Sequence, residues 1–124
     1  MMTMKARTRI VLAGLRFHAF HGVLPQERLV GNDYHVDMDV DYDFTQALTS
    51  DNLADTLNYA AVYEVVEREM QKPAALLERL AGRIAESLFG KFPGITGVHL
   101  KILKLSPPIG ADCEGAGVDI YLNK

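Results

Sequence analysis

Between Tyr34 and Phe44 apolar and polar residues alternate without a fault. Tyr34, Val36, Met38, Val40, Tyr42 and Phe44 fall on one side, and His35, Asp37, Asp39, Asp41 and Asp43 on the other. A period of two predicts a strand with one buried and one wet face, as in an antiparallel sheet covered on one side. The same period recurs near the C-terminus. Val98, Leu100 and Ile102 alternate with His99 and Lys101, and Ser106-Pro107-Pro108 stops the run. Ala116, Val118, Ile120 and Leu122 alternate with Gly117, Asp119, Tyr121 and Asn123. Thr8 to Ala13 is strand-like, Gly14 marks a bulge or kink, and the strand resumes through Phe17.

Two stretches carry helical spacing instead. Asn58 is an N-cap for a helix over Tyr59 to Met70, with Val62, Val65, Val66 and Met70 as its apolar stripe. Lys72-Pro73 breaks the chain. A second helix is predicted from about Ala74 to Phe89, with Leu77, Leu80, Ile84 and Leu88 toward the core, ended by Gly90 to Gly94. Phe20 to Glu27 reads as a loop, Gly31-Asn32-Asp33 as a turn, Ser50 to Asp55 as a turn with a short helical piece, and Pro107 to Gly115 as a glycine-rich loop. The order is β-β-α-α-β-β. This predicts an α+β fold, one antiparallel sheet with both helices on its apolar face. The aspartate face and the sheet edges then lack a cover. Closing several copies into a ring, with that face lining a wet tunnel, would cover both.

Composition narrows the class without changing this layout. The 124 residues suffice for one domain, with residues 1 to 7 as a loose tail. The chain is 48% hydrophobic and 23% charged with a net charge of −3, and it has no basic block, which argues against a nucleic-acid partner. One cysteine, Cys113, excludes an internal disulfide framework and a multi-cysteine zinc site. Lys5 to Arg9 followed by Ile10 to Leu15 faintly resembles a signal peptide, but the apolar run is too short and Arg16 and His18 interrupt the region after it. No run approaches transmembrane length. Together these read as a cytoplasmic protein without a membrane partner.

Few residues can carry chemistry. Lys104 falls in phase with Val98, Leu100 and Ile102, on the packed side of its strand. Burial lowers a lysine's pKa and suits it to proton transfer; snorkelling from a frayed strand end is the ordinary alternative. Glu78 lies beside small residues at helical spacing, Ala74, Ala81, Gly82 and Ala85, which leave room for a flat polar ligand. Its ordinary alternative is a boundary glutamate paired with Arg79 or Arg83. Tyr59 opens the first helix, either as packing or as a phenol presented at a subunit joint. Glu27 ends a Gly-Pro loop, where a glutamate is normally solvated. The aspartates of the second strand are about 7 Å apart along one face, too far to converge on a metal. His18, His21, His35 and His99 lack the spacing of a zinc site. No phosphate-binding glycine loop and no nucleophile elbow occurs.

Four segments resemble one known family. Gly14-Leu15-Arg16-Phe17-His18-Ala19-Phe20-His21-Gly22-Val23-Leu24-Pro25-Gln26-Glu27 is similar to the opening signature of dihydroneopterin aldolases. So are Asp55-Thr56-Leu57-Asn58-Tyr59, Leu76-Leu77-Glu78-Arg79-Leu80-Ala81, and Lys104 followed by Pro107-Pro108-Ile109. The resemblance runs from about residue 9 to residue 122. It implies the tunnelling fold, in which β-β-α-α-β-β subunits join their sheets into a barrel within stacked rings, usually octameric. It also implies a retro-aldol cleavage of 7,8-dihydroneopterin to glycolaldehyde and 6-hydroxymethyl-7,8-dihydropterin, a folate precursor, with C2′ epimerisation as a possible companion. The pterin's own N5=C6 imine serves as electron sink, so neither cofactor nor metal is implied. By resemblance Glu78 anchors the pterin through two charge-assisted hydrogen bonds. Lys104 is the acid/base, with Glu27 orienting it or joining the relay. Tyr59 of an adjoining subunit stacks or shuttles protons, and Leu57, Asn58 and Leu77 supply wall or backbone contacts.

Asn58 stands where some members carry histidine, and the Pro107 to Gly115 loop lacks a second proline-glycine pair common after Pro-Pro-Ile. The residues leave three rival readings open: a dihydroneopterin triphosphate epimerase on the same fold, a zinc-dependent pterin synthase using the histidines, and a non-catalytic ring-forming binding protein.

Overall fold

The structure is a computed structural model and describes residues 5 to 124. The first four residues of the expected N-terminal tail therefore lie outside the described residues. Strands β1 (Arg9–Ala19), β2 (Asn32–Tyr42), β3 (Ile95–Lys104) and β4 (Ala116–Asn123) form one antiparallel sheet in the order β1-β2-β3-β4. Between them run helices α1 (Pro25–Val30), α2 (Ala47–Ser50), α3 (Tyr59–Met70) and α4 (Leu77–Lys91), with a 3₁₀ turn at Leu53–Asp55. The expected α+β layout holds: α3 packs on β1, α4 on β3 and β4, and the two helices on each other.

The core is the apolar face read from the alternation. Tyr34, Val36, Met38 and Val40 of β2 and Val98, Leu100 and Ile102 of β3 are buried against Val62, Val65, Val66 and Met70 of α3 and Leu80, Ile84 and Leu88 of α4. Ala81 and Ala85 are also buried, so the small residues of α4 serve close packing against α3 and the sheet. Asn58 caps α3, its side-chain oxygen accepting the Ala60 N–H at 2.9 Å.

Gly14 makes the expected bulge. The β1–β2 register slips between Leu12, opposite Met38, and Leu15, opposite Val36. Gly14 takes a φ of +65° there and donates its N–H to Asp37 Oδ1 at 2.7 Å. The extra residue keeps Ile10 and Leu12 before it, and Leu15 and Phe17 after it, on the packed side.

Several boundaries shift by a few residues from expectation, and two of the differences bear on the site. The stretch ending at Glu27 is not all loop: Pro25 starts a short helix, a position its fixed φ favours, and Glu27 stands in the first turn of α1. The second long helix does not start at Ala74. The Ala74 N–H donates to His21 Nδ1 at 3.0 Å, and its carbonyl accepts the Gly22 N–H at 2.9 Å. Its main chain thus forms a bridge to the β1–α1 loop instead of a helical turn, and α4 begins three residues later.

One buried charge ties the helix pair. Glu69 on α3 is 5% exposed and lies at 3.2 Å from Arg83 Nε of α4 and from Lys72 Nζ, with the Ser87 hydroxyl at 3.3 Å. Arg83 also donates to the Glu69 and Lys72 carbonyls. Breaking such a pair from one side leaves a partly buried guanidinium without its counter-charge. We expect Glu69→Ala to lose about 3 kcal/mol of stability, read as a lower urea midpoint at unchanged m-value.

Candidate functional site

Two of the expected site residues, Lys104 and Glu27, meet where β3 ends. Lys104 pairs in register with Tyr34, and residues directly opposite in an antiparallel ladder share a face. Lys104 is therefore held on the packed side, as its phase requires, with a side chain only 12% exposed. A lysine in that position needs a partner, and Glu27 of α1 supplies it: Lys104 Nζ and Glu27 Oε2 form an ion pair in which Glu27 is 13% exposed. The expectation of a solvated loop glutamate fails because α1 turns Glu27 inward. The hydrogen bond from the Lys104 ammonium holds its carboxyl below the usual carboxylate range, against the upward pull of burial. The Leu24 N–H also donates to Glu27 Oε1 at 3.3 Å.

A glycine makes the pairing possible. Gly22 has a φ of +151°, and any Cβ there would overlap the Glu27 side chain. Arg28 Nε donates to the Gly22 carbonyl at 2.9 Å and ties α1 to the loop before it.

Beneath the pair lie two groups that sequence reasoning did not single out as functional. The hydroxyl of Tyr34, fully buried, donates to the His21 carbonyl at 3.0 Å, and the two rings meet edge to face at 5.3 Å. Burial first, and the nearby Glu27 charge second, push the Tyr34 hydroxyl up to about 12. His21 is 1% exposed. Because its Nδ1 accepts the Ala74 N–H, the proton sits on Nε2, which is buried without a hydrogen-bond partner of full geometry. Burial lowers its pKa to about 4, against the opposite pull of the Met70 carbonyl. The alternation of β2 could have pointed to Tyr34 as the neighbour of Lys104. The burial of His21 had no signal, since it depends on a loop contact 53 residues away.

The remaining predicted residues divide into two groups. Glu78 lies in the first turn of α4, four residues after Ala74, and is exposed. It pairs with neither expected arginine: Arg83 is taken by Glu69, and Arg79 lies 3.6 Å from Glu86. Leu77 is half-buried beside it. The Ala74 bridge puts this turn at the same end of the sheet as Lys104. Tyr59, Asn58 and Leu57 sit at the other end. Tyr59 opens α3, is exposed, and is separated from the Ala74 loop by the length of the helix, roughly 18 Å. Leu57 is buried and Asn58 exposed. Among the described residues no hydrogen bond or ion pair joins Tyr59 or Glu78 to Lys104 or Glu27.

The wet face of the sheet carries a separate network. His99 Nδ1 lies 3.1 Å from Asp39 and its Nε2 lies 2.8 Å from Asp119. The two carboxylates, Asp119 foremost, raise the imidazole's pKa. Arg9 approaches Asp39 and Asp41 at 3.7 and 3.9 Å. Tyr121 of β4 donates to Asp41 of β2 across Gly97 of β3, where any Cβ would collide with both groups. Among the described residues no three histidine, cysteine or carboxylate side chains converge as a metal-ligand set, and no helix is long and apolar enough to cross a membrane.

Comparison with known proteins matches this chain over residues 10–121 to the family model described as FolB, dihydroneopterin aldolase. It is 36% identical over 113 residues to the dihydroneopterin aldolase of Streptococcus pyogenes serotype M1, covering 90% of this chain and 95% of that protein. It is 32% identical over 117 residues to that of Bacillus subtilis, covering 94% and 98%. The crystal structure of the Escherichia coli dihydroneopterin aldolase in complex with neopterin superposes with a TM-score of 0.84 at 28% identity, covering 94% of this chain and 99% of that one.

The buried neutral His21 generates a pH prediction. A pKa of about 4 in the fold against 6.5 when exposed means that folding favours the neutral ring. The stabilisation is complete above pH 6.5 and is lost as the pH falls from there toward 4. Up to about 3 kcal/mol is at stake. Glu27, with its lowered pKa, also loses its contribution on acidification, so the comparison must isolate the histidine. His21→Asn removes the titration and keeps an acceptor for Ala74. Urea midpoints measured from pH 7.5 to 4 should fall more steeply for the parent chain than for His21→Asn.

Proposed function

The chain belongs to the dihydroneopterin aldolase family, and from that premise we propose that it cleaves 7,8-dihydroneopterin to glycolaldehyde and 6-hydroxymethyl-7,8-dihydropterin, a step toward folate. The observation that carries this reading is the Lys104–Glu27 ion pair: a secluded proton donor and acceptor at the end of the sheet nearest Glu78. In a retro-aldol step the side-chain 2′-hydroxyl loses its proton and the C1′–C2′ bond breaks. The electron pair moves into the C6–N5 imine, and C1′ then takes up a proton. Proton transfer and anchoring are all the protein must supply, because the pterin ring holds the electrons.

Lys104 exchanges the proton with the substrate and Glu27 keeps the ammonium aimed and charged. Glu78, exposed in one subunit, receives the pterin's amino and ring N–H groups in a bidentate hydrogen bond, with Leu77 as a wall. Tyr59, Asn58 and Leu57 reach the same ligand from an adjoining subunit, since α3 holds them at the far end of their own sheet. The two free sheet edges, β1 and β4, and the wet face of Asp37, Asp39, Asp41 and Asp43 support a closed ring of subunits, stacked in pairs into an octamer. No metal or cofactor enters this scheme. The exposed free Cys113 fits a reducing, cytoplasmic setting.

Product analysis with dihydroneopterin tests the reading: glycolaldehyde and the hydroxymethylpterin should appear at the same rate with and without a chelator. Loss of activity on chelation with recovery on added zinc would favour a zinc-dependent enzyme. Lys104→Gln, which retains a donor toward Glu27, should keep neopterin binding but lose on the order of 10²-fold or more in turnover. Lys101→Ala, on the opposite face of β3, should turn over at close to the parent rate. A parent-like rate for Lys104→Gln would refute the acid/base role. Assembly is tested separately by light scattering, where an active monomer would remove both the ring and the shared site.

A further inference from the structure

Resting on the proposed role of Glu78 as pterin anchor, we propose that His21 is a positioning residue: by accepting the Ala74 N–H on Nδ1 it holds the entry to α4 so that Glu78 stands over the Lys104 end of the sheet. Three observations carry this. First, His21 and Gly22 together occupy both hydrogen-bonding groups of Ala74, and Ala74 is the buried residue of an otherwise exposed segment from Gln71 to Leu76. Arg83 holds the segment at the Lys72 carbonyl two residues earlier, and between there and α4 the two bonds of Ala74 are what fix it to the sheet side. Second, His21 is itself fixed from the sheet, through the Tyr34 hydroxyl on its carbonyl and the Tyr34 ring against its own. Tyr34 is the cross-strand neighbour of Lys104. The anchor and the acid/base are thereby referred to one buried tyrosine. Third, the fully buried imidazole spends Nδ1 on a backbone N–H 53 residues away, with the Met70 carbonyl as the other backbone group acting on the ring, and core packing alone would not require such a bond.

The role needs the neutral ring, because a protonated Nδ1 cannot accept. Burial first, and then the nearby cations, keep it neutral, while the carboxylates among its neighbours pull the other way. Arg28 and Glu27 belong to α1, Tyr34 to β2, Lys104 to β3, Glu69 to α3 and Arg83 to α4. The cations Arg83, Lys104 and Arg28 each disfavour a second positive charge.

A double-mutant cycle on the full chain tests the proposal, with neopterin as the binding probe and dihydroneopterin as substrate, at pH 7.5. His21→Phe keeps a ring against Tyr34 but removes the acceptor. It should raise KM and the neopterin Kd about tenfold while kcat changes less than threefold. His21→Asn, whose amide oxygen can accept from Ala74, should restore KM to within threefold of the parent. In a Glu78→Ala background, where the anchor is already gone, His21→Phe should add less than a twofold effect on Kd.

Additive effects of His21→Phe and Glu78→Ala would overturn the positioning role while leaving the anchor intact. Unchanged affinity in Glu78→Ala alone would instead overturn the anchor reading, and this proposal with it. Should His21→Phe not fold, His21→Asn decides: a parent-like KM supports the acceptor role, and a raised KM at parent thermal stability overturns it.

Discussion

A lysine facing the core at the end of a strand sets the terms for one whole end of this molecule. The ladder between β2 and β3 gives Lys104 no choice of side, because Tyr34 opposite it is fully buried. An unpaired ammonium there would cost several kcal/mol, so a carboxylate must come to it. Glu27 does so because α1 turns its first-turn carboxylate toward the end of β3, and Gly22, lacking a side chain, leaves room for that carboxylate. The Gly22 N–H then reaches the Ala74 carbonyl, so one ion pair draws in a loop, a helix and the start of another helix. Costly pieces sit together here: a positive-φ glycine, a secluded charge pair and a fully buried histidine. Local strain of this kind concentrates where function is carried.

The layout was legible in the residues because it rests on period alone. The alternation of β2, the stripe of α3, the Asn58 cap and the Gly14 bulge are short-range signals, and each appears in the fold. The phase of Lys104 was legible for the same reason. Its partner was not, since Glu27 lies 77 residues away in sequence and a helix of six residues carries too little periodicity to announce itself. The start of α4 departs from its pattern because the main chain of Ala74 is claimed by His21 and Gly22, and no local pattern encodes that claim. The arrangement of Glu78 and Arg83 fails to appear in sequence for a related reason. Arg83 pairs with the buried carboxylate of Glu69 on another helix instead of the exposed Glu78 on its own, as desolvation favours.

The two faces of the sheet do different work. The packed face is apolar from Ile10 to Ile102 and stabilises the fold. The wet face places Arg9, Asp39, Asp41, His99, Asp119 and Tyr121 in a connected array across four strands. Three carboxylates there are offset in part by Arg9 and His99, so the array keeps a negative balance while each carboxylate has a hydrogen-bond or ion-pair partner.

The separation of Tyr59 from Lys104 by the length of α3 has a genetic consequence. A site assembled at the proposed joint takes its tyrosine from one polypeptide and its lysine from another. Two alleles, one damaged at each residue, would each encode an inactive assembly. Expressed together they would build some joints in which both damages fall on the same site and others in which neither does. Intragenic complementation would follow by segregation of the two damages, a route that a site contained within one polypeptide does not offer.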